Sequence, residues 1–212
     1  VIDDDNTNAV RIRDTLYSDF VLAKCNSSQI NKMIVAITDG SIDVIDLERR
    51  NTTTYSIGQS ISSISVTKYY NDEAVILVFS TASGQHYVGL FFDGALYQSS
   101  NYTAPYPTKV IGVDYDGDQI GDIVAVFSDN SVKILCYDEN SGSIYEVSGA
   151  TYTLSADIIF ISSANLDMDS YDELVLGLYD GTSYWLRLLD NDLSTIHSEL
   201  ISGPIYAMAH SD

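Results

Sequence analysis

The densest run of chemically capable side chains in this sequence is Asp114-Tyr115-Asp116-Gly117-Asp118-Gln119-Ile120-Gly121-Asp122, with carboxylates at loop positions 1, 3, 5 and 9. Alternate acids on a tightly curled loop turn their oxygens toward one point. With the carbonyl of Ile120 at position 7 they suit calcium, a hard cation that takes about six to eight oxygens at roughly 2.3–2.6 Å. A cation there would also offset the mutual repulsion of Asp114, Asp116, Asp118 and Asp122. The run is not an EF-hand, which needs Gly at position 6 and a bidentate Glu at position 12, where this chain has Gln119 and Ala125. A second run, Asn165-Leu166-Asp167-Met168-Asp169-Ser170-Tyr171-Asp172-Glu173, repeats the pattern. Asn165, Asp167, Asp169 and Glu173 offer side-chain oxygens at the same four positions, and Tyr171 offers its carbonyl at position 7. One calcium is expected in the first loop, and a second becomes possible in the other.

Other chemistries find little support. His86, His197 and His210 share no metal-ligand spacing. The chain holds no G-x-S-x-G elbow, Gly-rich phosphate loop or Cys/His nucleophile arrangement, so catalysis is not expected. Cys25 and Cys136 are too few for a disulfide scaffold and lack the paired spacing of a zinc site. Thirty Asp and Glu against ten Lys and Arg give a net charge of -20. That balance argues against a nucleic-acid or anionic-membrane partner and makes a metal cation or a basic protein surface the natural counterpart. No run of about 18 apolar residues would cross a membrane. The opening VIDDDNTNAV has neither region of a signal peptide, and the chain reads as a stretch cut from something longer.

The elements that must hold these loops come from an internal repeat. KMIVAITDGSIDVID, AVILVFSTASGQHYVGLF, DIVAVFSDNSVKILCYD and ELVLGLYDGTSYWLRLLD restate one strand-hairpin-strand unit, and Met33, Val75, Ile123 and Leu174 are 42, 48 and 51 residues apart. This is the length of a four-stranded propeller blade. Each first run is nearly continuously apolar, as in an inner strand covered on both faces. Asp39-Gly40, Asp129-Asn130 and Asp180-Gly181 follow, and such pairs suit two-residue hairpins. Strand A is expected near 19–24, 61–67, 108–113 and 157–163, and strand D near 53–57, 95–98, 143–148 and 195–200. The expected fold is all-β: one propeller domain or segment with blades near 19–58, 61–99, 108–148 and 157–200. Residues 204–212 would open a further blade, and 1–13 would close a preceding one. A β-sandwich has no reason to restate one unit at this period. Cys25 and Cys136, two blades apart, should not be bonded to each other.

The two acidic loops, each between strands A and B, resemble the FG-GAP repeat of integrin α-subunit propellers and the related VCBS repeats, whose calcium loops read D-x-D/N-x-D/N-G-x-x-D. Asp114, Asp116, Asp118 and Asp122 match the ligand positions, while Gln119 departs from the usual Gly and the FG and GAP signatures are absent. Copies one and two, with Lys24, Asn26, Ser28 and Lys32 and with Lys68, Tyr70 and Asn71, break the motif and should not bind. The resemblance implies a calcium-stabilised extracellular or cell-surface module for recognition, adhesion or assembly. The sequons at Asn26, Asn51 and Asn101 suit such a glycoprotein. In the connection Ser99 to Pro107, Tyr102 and Tyr106 are candidate contacts for a protein partner or neighbouring subunit, on the face opposite the calcium loops. The alternatives are a fragment of a propeller-type polysaccharide lyase or hydrolase, and a cytosolic propeller scaffold.

Overall fold

The computed structural model describes residues 17–24, 30–69, 72–92, 94–118, 121–166 and 171–205. They form four four-stranded antiparallel sheets in which each strand pairs with the next in sequence. The first contains β1 (Tyr17–Lys24), β2 (Ile30–Ile37), β3 (Ser41–Asp46) and β4 (Asn51–Ser56). The second contains β5 (Ser60–Tyr69), β6 (Asp72–Ser80), β7 (His86–Phe92) and β8 (Ala95–Gln98). The third contains β9 (Pro107–Val113), β10 (Asp122–Phe127), β11 (Ser131–Asp138) and β12 (Ser143–Thr153). The fourth contains β13 (Asp157–Ala164), β14 (Glu173–Tyr179), β15 (Tyr184–Leu189) and β16 (Thr195–Ile201). No helix long and apolar enough to cross a membrane occurs among the described residues.

The continuous apolar runs are explained by burial on both faces. In β6, Val75, Leu77 and Phe79 pack toward the first sheet, while Ala74, Ile76 and Val78 pack toward the third. In β10, Ile123, Ala125 and Phe127 face the second sheet, and Val124 and Val126 face the fourth. Successive residues of a strand point to opposite faces, so a strand between two neighbours must be apolar at every position. One hydrophobic cluster fills each junction between consecutive sheets, and among the described residues none joins the fourth sheet to the first.

The innermost strands β1, β5, β9 and β13 surround a central cleft of about 640 Å³. Side-chain to backbone bonds tie them together across blades: Ile64 N–H donates to Asp19 Oδ2 (2.9 Å), Lys109 Nζ to the Ile159 carbonyl (2.6 Å) and Ser163 Oγ to the Gly112 carbonyl (2.9 Å). Burial lowers the pKa of Lys109, and the nearby Asp19 partly counters this.

Two details differ from the sequence reading. The hairpins after β2 and β10 have three-residue loops, Thr38 to Gly40 and Ser128 to Asn130, and the one after β14 has four, Asp180 to Ser183. In the two three-residue loops only the third residue is left-handed (Gly40 φ 84°, Asn130 φ 61°), where its N–H closes a turn on the carbonyl of Ile37 or Phe127. The aspartates brace these turns: Asp39 and Asp129 accept from the N–H and hydroxyl of Ser41 and Ser131. The second difference is β12, which runs to Thr153 instead of ending near 148. Its register against β11 slips between Lys133↔Thr151 and Leu135↔Glu146, and the added turn of chain holds Gly149 at φ 83° and buries Ala150. The stretch 1–13, expected to close a preceding blade, lies outside the described residues, as do 206–212 of the stretch 204–212 expected to open a further one; Ile205, within the latter, lies against Gly177 on the fourth sheet.

Candidate metal centre

The loop between β9 and β10 begins where the innermost strand of the third blade leaves the cleft. Asp114, Asp116 and Asp118 each present a carboxylate oxygen, and these oxygens lie within 4.8 Å of one another. Two ligands on opposite sides of a calcium ion at about 2.4 Å are separated by roughly that distance. The all-oxygen donor set and its span therefore fit a hard cation. Asp114 Oδ1 accepts from Gly117 N–H (2.9 Å) and Asp116 Oδ1 from Asp118 N–H (3.2 Å), so the loop curls on its own carboxylates.

Asp122 is not one of that trio. Its carboxylate is buried, accepts from Tyr115 N–H (3.3 Å) and takes a hydrogen bond from the Cys136 thiol. Burial raises its pKa to about 6; the bonds from Cys136 and Tyr115 counter the rise, and the charges of Asp116 and Asp118 add to it. Burial and the adjacent carboxylate likewise push the Cys136 thiol up, and that cysteine is free. The fourth blade repeats the closure: Glu173, at the same loop position, is buried and accepts from Leu166 N–H, two residues into its loop. In both loops the ninth residue braces the second.

Both neighbouring blades hold the acidic loop. On one side Gly121 N–H donates to the Lys68 carbonyl (2.6 Å) and Thr67 Oγ1 to the Asp122 carbonyl (3.2 Å). A Cβ on Gly121 would lie 1.7 Å from Thr67 Oγ1 and 2.7 Å from Lys68 N, so glycine alone fits here. On the other side Asp114 N–H donates to Asp172 Oδ2 (3.0 Å), and Asp172 N–H donates to the Asp114 carbonyl (3.2 Å). The reading of the sequence missed Asp172, Thr67, Cys136 and the steric need for Gly121. Only the Gly at position 8 and the Asp at position 8 of the second loop hinted at them.

Ile120, Asp167, Asp169, Asn26 and Cys25 lie outside the described residues. Asn165 is exposed and Tyr171 is half-buried. Asn51, opening β4, and Asn101, in the connection after β8, are both exposed. Tyr102 is largely committed to packing. It exchanges two backbone bonds with His86, meets Phe127 edge-on at 5.0 Å and donates its hydroxyl to Glu146 Oε1 at 3.0 Å. Burial, with Glu146 beside it, raises its pKa. Tyr106 stacks on His86 at 4.3 Å and is 37% exposed. Its carbonyl accepts from Ser128 N–H in the turn after β10, which places it at the end of the sheet away from the acidic loops.

Four sheets, each of four antiparallel strands in sequence order, surround one cleft. The fold is that of a β-propeller. Among solved structures the chain is similar to BBS1N in complex with ARL6DN, with a TM-score of 0.66 and 13% identity over 90% of this chain and 53% of that one. It is also similar to the β-propeller domain of Myceliophteria thermophila Cps50 (Swd1), with a TM-score of 0.59 and 16% identity over 92% and 58% of the two chains. Saccharomyces cerevisiae Sqt1 matches with a TM-score of 0.55 and 14% identity over 87% and 48%. The chain thus spans about half the length of these structures. No family model matches it, and no curated protein matches it by sequence, so the likeness to FG-GAP and VCBS repeats rests on the loop residues alone.

Proposed function

We propose that this propeller segment is a calcium-stabilised recognition module that meets a protein partner, and that it works outside the cell. The observation that carries the reading is the carboxylate trio of Asp114, Asp116 and Asp118, whose oxygens converge within 4.8 Å on a loop gripped by both neighbouring blades. Calcium supplies positive charge at that point. Asp114 and Asp116 hold the loop curled through Gly117 and Asp118, and Asp122 closes it from behind.

A role in recognition is favoured over catalysis by the lining of the central cleft. Its titratable side chains among the described residues, Asp19 and Lys109, are already engaged by Ile64 N–H and the Ile159 carbonyl. A similar propeller, BBS1N, was solved in complex with a protein, ARL6DN, which supports a protein partner for this fold. The exposed sequons at Asn51 and Asn101 support the extracellular assignment. A partner meets the His86–Tyr106 stack, where the second and third blades adjoin at the end away from the metal loop.

The test is a thermal melt with calcium and with EDTA. Calcium at a hundredfold its dissociation constant should stabilise the native chain by about 2.7 kcal/mol, and Asp116→Ala should abolish most of that gain. A melting temperature that is the same in calcium and EDTA would rule the reading out. Glycan on Asn51 or Asn101 in natively produced material tests the location, and bare asparagines at both would favour a cytosolic scaffold.

A further inference from the structure

We infer that Asp114, opening the loop after β9, and Tyr171 and Asp172, closing the connection before β14, act as one unit, with Asp172 as the positioning residue that ties the start of the acidic loop to the interface between the third and fourth blades. Asp172 and Asp114 exchange two hydrogen bonds across 58 residues of sequence: Asp114 N–H reaches the Asp172 carboxylate at 3.0 Å, and Asp172 N–H reaches the Asp114 carbonyl at 3.2 Å. A second contact lies a few residues on. Gly117, at φ 76°, sits under the ring of Tyr171 so closely that a Cβ there would be 2.7 Å from a ring carbon.

These contacts act on the part of the loop that matters for a cation. Asp114 opens the carboxylate trio, and its Oδ1 also takes Gly117 N–H, so fixing its backbone fixes both the first oxygen and the turn that brings Asp116 and Asp118 beside it. The curled loop is therefore held in shape by groups of another blade. Linkage makes the effect reciprocal: the factor by which docking of the fourth blade's loop raises cation affinity is the factor by which a cation tightens the docking. Occupancy of the acidic loop becomes a means of stiffening one joint of the propeller. This inference rests on the calcium reading above for its binding arm, while the docking itself can be measured without metal.

The experiment uses the full chain with Asp172→Ala and Asp172→Asn, calcium alone as the probe in calorimetric titration, and amide hydrogen exchange in EDTA. Asparagine keeps an oxygen to accept the Asp114 N–H and removes the charge, so it separates positioning from simple attraction. Loss of one hydrogen bond to a charged group should weaken calcium binding about tenfold in Asp172→Ala, with Asp172→Asn within about threefold of the wild type. In EDTA the Asp114 amide should exchange about tenfold faster in Asp172→Ala and near the wild-type rate in Asp172→Asn. Equal weakening by both substitutions would reduce Asp172 to a nearby charge and overturn the positioning role. Unchanged exchange in Asp172→Ala would overturn the docking. A wild-type chain that takes no calcium would end the calcium reading, and the exchange result would still decide whether the two loops are joined.

Discussion

Gly121→Ala should be among the most damaging single-methyl additions to this chain. A Cβ there would lie 1.7 Å from Thr67 Oγ1, a side-chain atom that can rotate away, but also 2.7 Å from Lys68 N and 2.9 Å from Lys68 O, which belong to a paired strand and cannot. The loop must therefore back away from the second blade and lengthen the 2.6 Å bond from Gly121 N–H to the Lys68 carbonyl. Loss of that bond costs about 1 kcal/mol net, and forcing a methyl into a filled contact costs about 1–3 kcal/mol more. The sum, about 2–4 kcal/mol, lowers the melting temperature of a chain this size by roughly 2–4 °C for each kcal/mol. A fall of about 6–12 °C is expected from the middle of that range. Gly203→Ala is the matched control, because nothing lies within 4 Å of its Cβ position and its φ is not left-handed; its change should stay within about 0.5 kcal/mol. Melting both variants beside the wild type in EDTA, so that metal plays no part, gives the comparison. Equal melting temperatures for the two alanine variants would refute the claim that backbone approach at Gly121 holds the acidic loop to the second blade.

Other consequences follow from the same contacts. Burial holds the Asp122 carboxyl at about 6 against an ordinary 3.8, so the native state binds more protons than the unfolded state between those values. Its contribution to calcium-free stability falls as pH rises from about 4 to 6. Asp122→Asn should therefore gain on the wild type by up to about 3 kcal/mol at pH 7 and by little at pH 4; denaturant midpoints showing the same difference at both pH values would contradict this. The Cys136 thiol, pushed up by burial and by Asp122, should resist alkylation at pH 8 in the folded chain and react on unfolding, and labelling at the rate of a free thiol would count against that placement. Leu186 and Leu188 lie half-exposed on the face of the fourth sheet turned away from the third. Residues 1 to 212 alone should accordingly self-associate in sedimentation, and a stable monomer would show that this face needs no cover.

The fold was legible from the sequence because a propeller states its rules locally. β6 and β10 are each sandwiched between two neighbouring sheets, so their apolar runs are unbroken, and Met33, Val75, Ile123 and Leu174 mark four runs of that kind at blade-length intervals. The carboxylate trio was legible for the same reason, since the spacing of Asp114, Asp116 and Asp118 determines that one curled loop brings them together. Turn lengths were less so: Asp39-Gly40 announces a hairpin, but the residue before it joins the loop because the turn closes on Ile37. What only the tertiary structure decided is how that loop is held. Asp122 sits four residues from Asp118 in the same motif, yet it turns inward to Cys136 on the neighbouring strand β11. Asp172 and Thr67 reach the loop from different blades, and Gly121 is required by a backbone in the second blade. Spacing along a chain sets which atoms one loop can converge on, but a contact between blades depends on how separate sheets pack, and no local pattern encodes that distance.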